Sequence, residues 1–188
     1  MTKPTKRVRI TGGEFRGRYI RADIGVGTHP MGDRPRLGLM NSLMARGVIT
    51  DANVLDAFAG TGALGLEALS RGAARCDFIE RYGLGCKVIS DNITTLGVSD
   101  RARVIHSDVR IWGEDYHEAP KYDLILADPP YDNPQFSTVF LLTKALKQNG
   151  LMVLSYPGRV CEPKPNNGVV VVDDLCYGEA TLALYRKM

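Results

Sequence analysis

The chain has 188 residues, of which 44% are hydrophobic and 24% charged, with a formal net charge of +3. That balance fits one globular domain with a sizeable core and room for a small appendage, and it excludes a disordered or collagen-like chain. The first ten residues are basic and polar with no apolar core segment, and no run is long enough to span a bilayer, so a cytoplasmic protein is expected.

The charge is unevenly spread. Residues 1–46 carry +7 and the remaining 142 carry −4. A basic N-terminal part attracts a polyanion, because neutralising phosphates releases condensed counterions. Arg7-Val8-Arg9-Ile10 and Arg18-Tyr19-Ile20-Arg21 alternate basic and apolar residues around Gly12-Gly13 and Gly17, the pattern of a twisted hairpin with one charged face. A solvated basic tail would not need that alternation. Residues 22–33 are loop-like, interrupted by Gly25, Gly27, Pro30 and Gly32. Asp33-Arg34-Pro35-Arg36 then opens a helix through Leu39, Met40, Leu43 and Met44, with Asp33 as its N-cap, Pro35 in the first turn and Gly47 as its end. Arg34 and Arg36 are candidates for contacting a nucleic-acid backbone or a ligand, or for charges on a solvated helix start.

From Asn53 the chain alternates strands and helices. Val54–Phe58 reads as a buried strand, Gly60-Thr61-Gly62-Ala63-Leu64-Gly65 as a turn into a helix with Leu66, Ala68 and Leu69 on its apolar side, and Cys76–Glu80 as the next strand. A helix from about Leu84 to Leu96 closed by Gly97, a strand Ala102–His106, a strand Tyr122–Ala127, a helix Phe136–Leu146 and a strand Leu151–Ser155 follow. Val169–Val172 and Glu179–Tyr185 are expected to pair as a C-terminal antiparallel hairpin. Repeated strand–helix–strand units imply an α/β fold with a mainly parallel sheet covered on both faces. Cys76, Cys86, Cys161 and Cys176 form no Cys-x-x-Cys pair, and His29, His106 and His117 show no metal-ligand spacing. Reduced, mostly buried thiols and no metal are expected.

Gly60-x-Gly62-x-x-Gly65, with Glu80 twenty positions after Gly60, formally satisfies a dinucleotide fingerprint, so a nicotinamide dehydrogenase is a rival reading. Against it, Asp56 lies within the first strand, Phe58 and Ala59 separate that strand from the glycines, and Asp128-Pro129-Pro130-Tyr131 has no role in hydride transfer. Asp-x-Phe-x-Gly-x-Gly resembles instead the first motif of S-adenosylmethionine-dependent methyltransferases. That resemblance implies Asp56, Phe58, Gly60 and Gly62 around the cofactor, with Asp56 toward its cationic methionine end. Glu80 would meet the ribose, and Ser107 and Asp108 the adenine. Asp108 equally reads as a helix N-cap.

Ligands of open α/β sheets bind at the carboxyl ends of strands, so Asp128–Tyr131 would share one crevice with Gly60. An acid, two stiff prolines and an aromatic suit a planar amine. The Asp128 carboxylate and the Pro129 carbonyl accept its N–H groups and Tyr131 stacks on its ring. Together with Arg9-Ile10-x-Gly12-Gly13-x-Phe15-Arg16-Gly17-Arg18, Asp33-Arg34-x-Arg36, Leu55 to Ala73 and Tyr177-Gly178, these residues resemble the bacterial 16S rRNA guanine-N2 methyltransferase family, the RsmD type.

The resemblance implies a Rossmann-like class I methyltransferase fold, S-adenosyl-L-methionine as cofactor, and methyl transfer to the 2-amino group of a guanine in 16S rRNA. The partner would be the small ribosomal subunit or its assembly intermediate. Asp128, Pro129, Pro130 and Tyr131 would be catalytic, and Arg7, Arg9, Arg16, Arg18, Arg34 and Arg36 would meet RNA. Residues 1–33 would form the RNA-contacting extension and 34–188 the methyltransferase domain, acting as a monomer. Departures from the family pattern are His29-Pro30-Met31-Gly32, Pro35, Leu37 and Gly38, and Ser155 in place of an acid. Two alternatives stay open: an amino-methyltransferase for DNA adenine N6 or protein glutamine, and a non-catalytic RNA-binding assembly factor.

Overall fold

The computed structural model describes residues 6–23, 31–158, 160 and 168–188. Cys161 and the loop residues Gly25, Gly27, His29 and Pro30 lie outside them. Two short strands, β1 (Arg7–Arg9) and β2 (Tyr19–Arg21), pair antiparallel with Val8 opposite Ile20. Helix α1 spans Asp33–Ala45. Strand β3 (Asn53–Ala57), helix α2 (Ala63–Ser70), strand β4 (Arg75–Glu80), helix α3 (Gly83–Leu96), strand β5 (Ala102–His106) and helix α4 (Val109–Glu114) follow. Strand β6 (Tyr122–Ala127), helix α5 (Phe136–Leu141), strand β7 (Leu146–Pro157), strand β8 (Val169–Tyr177) and strand β9 (Ala180–Lys187) complete the chain.

Seven strands form one sheet in the order β5-β4-β3-β6-β7-β9-β8. The first five run parallel, and β9 joins β7 and β8 antiparallel. Alternate strand residues feed two cores, as a pleat with period two requires. Val54, Phe78, Leu124, Leu126 and Val153 meet α1, α2 and α3 on one face. Leu55, Ile79, Ile125, Met152 and Tyr185 meet α4 and α5 on the other. The chain reverses its direction of travel across the sheet between β3 and β6, so a crevice opens beyond their carboxyl ends.

The basic hairpin is docked onto the sheet-covering helices. Ile10 and Ile20 belong to the first core. The Thr11 N–H donates to Glu67 Oε1 at 2.7 Å, the Phe15 N–H donates to Ser70 Oγ at 3.0 Å, and the Glu14 N–H donates to the Ser70 carbonyl at 2.7 Å. Gly13 sits at φ +78° against this helix end, where a Cβ would lie 1.8 Å from the Ser70 carbonyl oxygen.

Several expectations are corrected. Gly32, not Asp33, is the N-cap of α1. Asp33 occupies the first helical position and pairs with Arg36 at 2.8 Å. Helix α5 stops at Leu141, because a tight 3-10 turn over Leu142–Lys144, capped by Ala145, hands Leu146 to the sheet. Strand β7 therefore begins at Leu146 opposite Tyr122 and resumes register at Leu151 after an irregularity. Of the described cysteines only Cys76 is buried; Cys86 is half-buried and Cys176 exposed. Gly38, one of the departures, lets α1 approach β8: a Cβ there would lie 1.9 Å from the Tyr177 hydroxyl.

Candidate active site

The crevice at the β3–β6 switch has a volume of about 900 Å³. Ala57 and Ala127 are register partners, so the chain leaves β3 through Phe58 and leaves β6 through Asp128 side by side. This juxtaposition brings the glycine turn and the Asp128–Tyr131 lip to one opening.

The turn is backbone-built. Phe58 adopts φ +62°, Gly60 φ +55° and Gly62 φ +77°. Such values are open to glycine and costly for phenylalanine, so Phe58 holds local strain at the crevice wall. Gly62 is the N-cap of α2 and has no side chain to satisfy the helix's first N–H groups. Asp56 does so from β3, its Oδ2 accepting the Gly65 N–H at 2.8 Å. Gly65 in turn lies where a Cβ would meet the Phe78 ring at 2.4 Å. Glu80 ties the turn to the next loop: Oε2 accepts the Gly60 N–H at 2.9 Å and Oε1 accepts the Tyr82 N–H at 2.7 Å.

Three carboxylates therefore converge. Burial pushes Asp56 well above the usual carboxylate range, opposed by the Gly65 N–H and reinforced by the charges of Asp128 and Glu80. Burial likewise raises Asp128 to about 6, opposed by a hydrogen bond from Ser155. A crevice in which the charges of Asp128 and Glu80 act against ionisation of Asp56 is complementary to a cationic ligand. The residues present fit S-adenosylmethionine: the Asp56, Asp128 and Glu80 carboxylates suit its ammonium and sulfonium, and Glu80 retains lone pairs for ribose hydroxyls. Asp108, Val109 and Ile79 also line the crevice.

Of the residues named from sequence, Asp56, Phe58, Gly60, Glu80, Asp108, Asp128, Pro129, Pro130 and Tyr131 line the crevice. Gly62 and Ser107 do not line it; Gly62 shapes the turn, and Ser107 carries an N–H that donates to the Glu80 carbonyl at 3.1 Å. Asp108 also caps α4, its Oδ1 accepting the Arg110 N–H at 2.9 Å, so the N-cap reading of it holds while the residue also lines the crevice. Met31, Pro35, Leu64, Tyr82 and Gln135 line the crevice as well. In the sequence Met31 and Pro35 stand out as departures from the family pattern and Leu64 belongs to the glycine turn, whereas Tyr82 and Gln135 carry no local signal. Ser155, on a strand away from both motifs, carried no local signal of contact with the lip.

The basic residues divide. Arg7, Arg9, Arg16, Arg18 and Arg34 are exposed. Arg18 stacks on Phe15 and donates to the Thr95 carbonyl. Arg36 is corrected as an RNA contact, since it is fully buried. Its guanidinium is spent on Glu67 at 3.1 Å, the Arg9 carbonyl at 2.7 Å, Asp33 at 2.8 Å and the Met31 carbonyl. Arg36 is thus an internal tie between hairpin, α1 and α2.

Comparison with known proteins gives one consistent picture. The family model described as conserved hypothetical protein 95 matches residues 8–186. "Putative rRNA methyltransferase YlbH" of Bacillus subtilis is 29% identical over 187 residues, covering 96% of this chain and 99% of that protein. "Ribosomal RNA small subunit methyltransferase D" of Escherichia coli K12 is 38% identical over 125 residues, covering 66% of this chain and 61% of that protein. A solved Escherichia coli structure, "Putative methyltransferase yhhF", is similar with a TM-score of 0.84 and 31% identity over 97% of this chain and 98% of that one. The chain belongs to the conserved hypothetical protein 95 family.

Proposed function

We propose that this protein is an S-adenosylmethionine-dependent rRNA methyltransferase that methylates the 2-amino group of a guanine in 16S rRNA. The observation that carries the reading is the pairing of Ala57 with Ala127, which sets the Asp128–Tyr131 lip across one crevice from a carboxylate-lined glycine turn. The relatives' names supply the rRNA. Exposed Arg34, next to the crevice-lining Pro35, and the exposed arginines of the hairpin supply a basic surface for it.

S-adenosylmethionine supplies an electrophilic methyl group when bound. A guanine amine is a poor nucleophile because its lone pair is delocalised into the ring. Asp128 and the Pro129 carbonyl accept its two N–H bonds and favour a more pyramidal nitrogen, while Tyr131 stacks on the base. Pro129 and Pro130 keep this lip stiff, which suits a base displaced from its stack. Once the amine carries the methyl group it is strongly acidic, and the Asp128 carboxylate takes its proton. The hairpin and loop of residues 1–33 serve as the RNA-contacting extension of the catalytic domain. In this reading the protein is a cytoplasmic monomer acting on the small subunit or an assembly intermediate, with no metal.

The test is to incubate the protein with labelled cofactor and small ribosomal particles, then map the modified base. One N2-methylguanine in 16S rRNA is expected; label on DNA, on protein glutamine or on no acceptor overturns the reading.

A further inference from the structure

The outer face of the hairpin carries an aromatic ring among its arginines. Strand alternation sends Val8 and Ile20 toward the first core and turns Arg7, Arg9, Tyr19 and Arg21 outward. Arg9 is the register partner of Tyr19, and Arg7 is the partner of Arg21. Like charges directly opposite each other weaken a strand pair, so this face is not arranged for the hairpin's own stability. Arg21 is offset by Asp91 at 2.8 Å and Arg9 by Asp33 at 3.7 Å, whereas Arg7 has no ion-pair partner among the described residues.

Tyr19 is 57% exposed. Phe15, in the same hairpin, has the Arg18 guanidinium 5.6 Å over its ring, and the exposed Tyr82 has that of Arg81 at 4.4 Å. Among the described residues, neither a ring nor a cation stacks on Tyr19. Its backbone is nevertheless fixed on both sides. The Ile10 N–H donates to the Arg18 carbonyl at 2.8 Å. Asn92 of α3 clamps Arg21, its Oδ1 accepting the Arg21 N–H at 2.8 Å and its Nδ2 donating to the Arg21 carbonyl at 3.0 Å. A flat apolar surface is thus held in water on a rigid support.

We propose that Tyr19 is a stacking platform for an unpaired base of the rRNA substrate. The inference rests on the function proposed above and deepens it, because it makes the bound segment single-stranded rather than duplex. Bases inside a duplex are covered by their neighbours, whereas an unpaired base offers its face to any aromatic ring. The guanidiniums of Arg7, Arg9 and Arg21, on the same face, meet the phosphates on either side of that base. Asp33 and Asp91 dilute the charge of this face, so the ring, rather than the charge, selects unpaired RNA. The platform is also joined to the crevice: Arg9 reaches Asp33, and the neighbouring Gly32 and Pro35 line the crevice. A strand held on Tyr19 continues past the head of α1 toward the Asp128 lip, with one base stacked outside while another enters.

The test measures binding of the wild type, Tyr19→Ala and Tyr19→Phe to a single-stranded oligoribonucleotide of about ten nucleotides, and to the same strand in a duplex, by fluorescence anisotropy over a salt series. Tyr19→Ala is expected to weaken single-strand binding about 5- to 100-fold with the salt slope unchanged, since no charge is lost, and to leave duplex binding within about 2-fold. Tyr19→Phe keeps the ring and stays near the wild type. In methyl transfer to small ribosomal particles, Tyr19→Ala raises KM on the same scale while kcat and the calorimetric affinity for the cofactor are kept. Tyr19→Trp adds a reporter to the chain's single tryptophan, Trp112, and its added emission is expected to be quenched by the single strand and not by the duplex. Wild-type affinity of Tyr19→Ala for the single strand overturns the platform, as does an equal loss on both RNAs. A raised particle KM with unchanged oligonucleotide binding assigns the ring to a protein contact and overturns it as well. Absence of transfer by the wild type fails the parent reading instead, while the oligonucleotide measurements still decide the platform.

Discussion

The Arg36 guanidinium lies 3.1 Å from Glu67 Oε1 with both side chains closed to solvent. Glu67 also pairs with Arg71 and accepts the Thr11 N–H. Removal of one member strands a buried charge, which typically costs about 3–5 kcal/mol. Arg36→Ala and Glu67→Ala are each expected to lose stability on that scale in urea unfolding. Exposed Arg34→Ala is expected to stay within about 0.5 kcal/mol of the wild type. Equal stabilities for Arg36→Ala and Arg34→Ala would contradict the assignment of Arg36 to the interior.

The exposed arginines carry the opposite expectation. Joint replacement of Arg9, Arg16 and Arg18 by alanine is expected to weaken rRNA binding and lower the slope of log affinity against log salt by about 0.7–0.9 per lost phosphate contact. Fluorescence anisotropy over a salt series measures it. An unchanged slope refutes the basic hairpin as an RNA surface.

Gly13 links the hairpin to α2. Gly13→Ala forces both an unfavourable φ and a clash with the Ser70 carbonyl, a backbone atom with little freedom to yield. A loss of about 1–3 kcal/mol in stability is expected, with a weaker particle KM and cofactor affinity largely kept. Calorimetric cofactor titration beside steady-state kinetics separates the two effects.

Asp128, raised to about 6, gives the site a pH dependence with a defined sign. Methyl transfer needs the carboxylate, so kcat is expected to fall as pH drops through about 6. Stability runs the other way. The folded state holds the Asp128 proton more tightly than the unfolded chain, whose carboxyl titrates near about 4, so this group's contribution is full below that value and lost as pH rises through about 6. Asp128→Asn is therefore expected to be more stable than the wild type at neutral pH, by on the order of 1–2 kcal/mol, with the difference vanishing toward about pH 4. Urea midpoints at three pH values check it.

The parts legible in the sequence are those written in local pattern. Ala102–His106 and Tyr122–Ala127 form strands over the bounds read from their apolar runs, and Gly97 closes α3 in a left-handed conformation. The glycine turn and the Asp128 lip were visible as motifs because each is contiguous. Arg36 was misassigned because a positive charge has the same local signature in solvent as in an internal pair. Its partner Glu67 is 31 residues away. Helix α5 ended early because the apolar residues after Leu141 serve a strand as readily as a helix, and only the tight turn decides between them. Ser155 is visible in the sequence only as a departure from a family pattern, since its hydrogen bond with Tyr131 exists only once β6 and β7 lie side by side.

The central claim is that the lip supplies the chemistry and the glycine turn supplies the cofactor. Asp128→Ala tests it most directly, with methyl transfer to small ribosomal particles and cofactor binding measured on the same preparation. The account predicts transfer reduced by about 10²-fold or more with cofactor affinity largely spared. Full retained transfer in Asp128→Ala would contradict it.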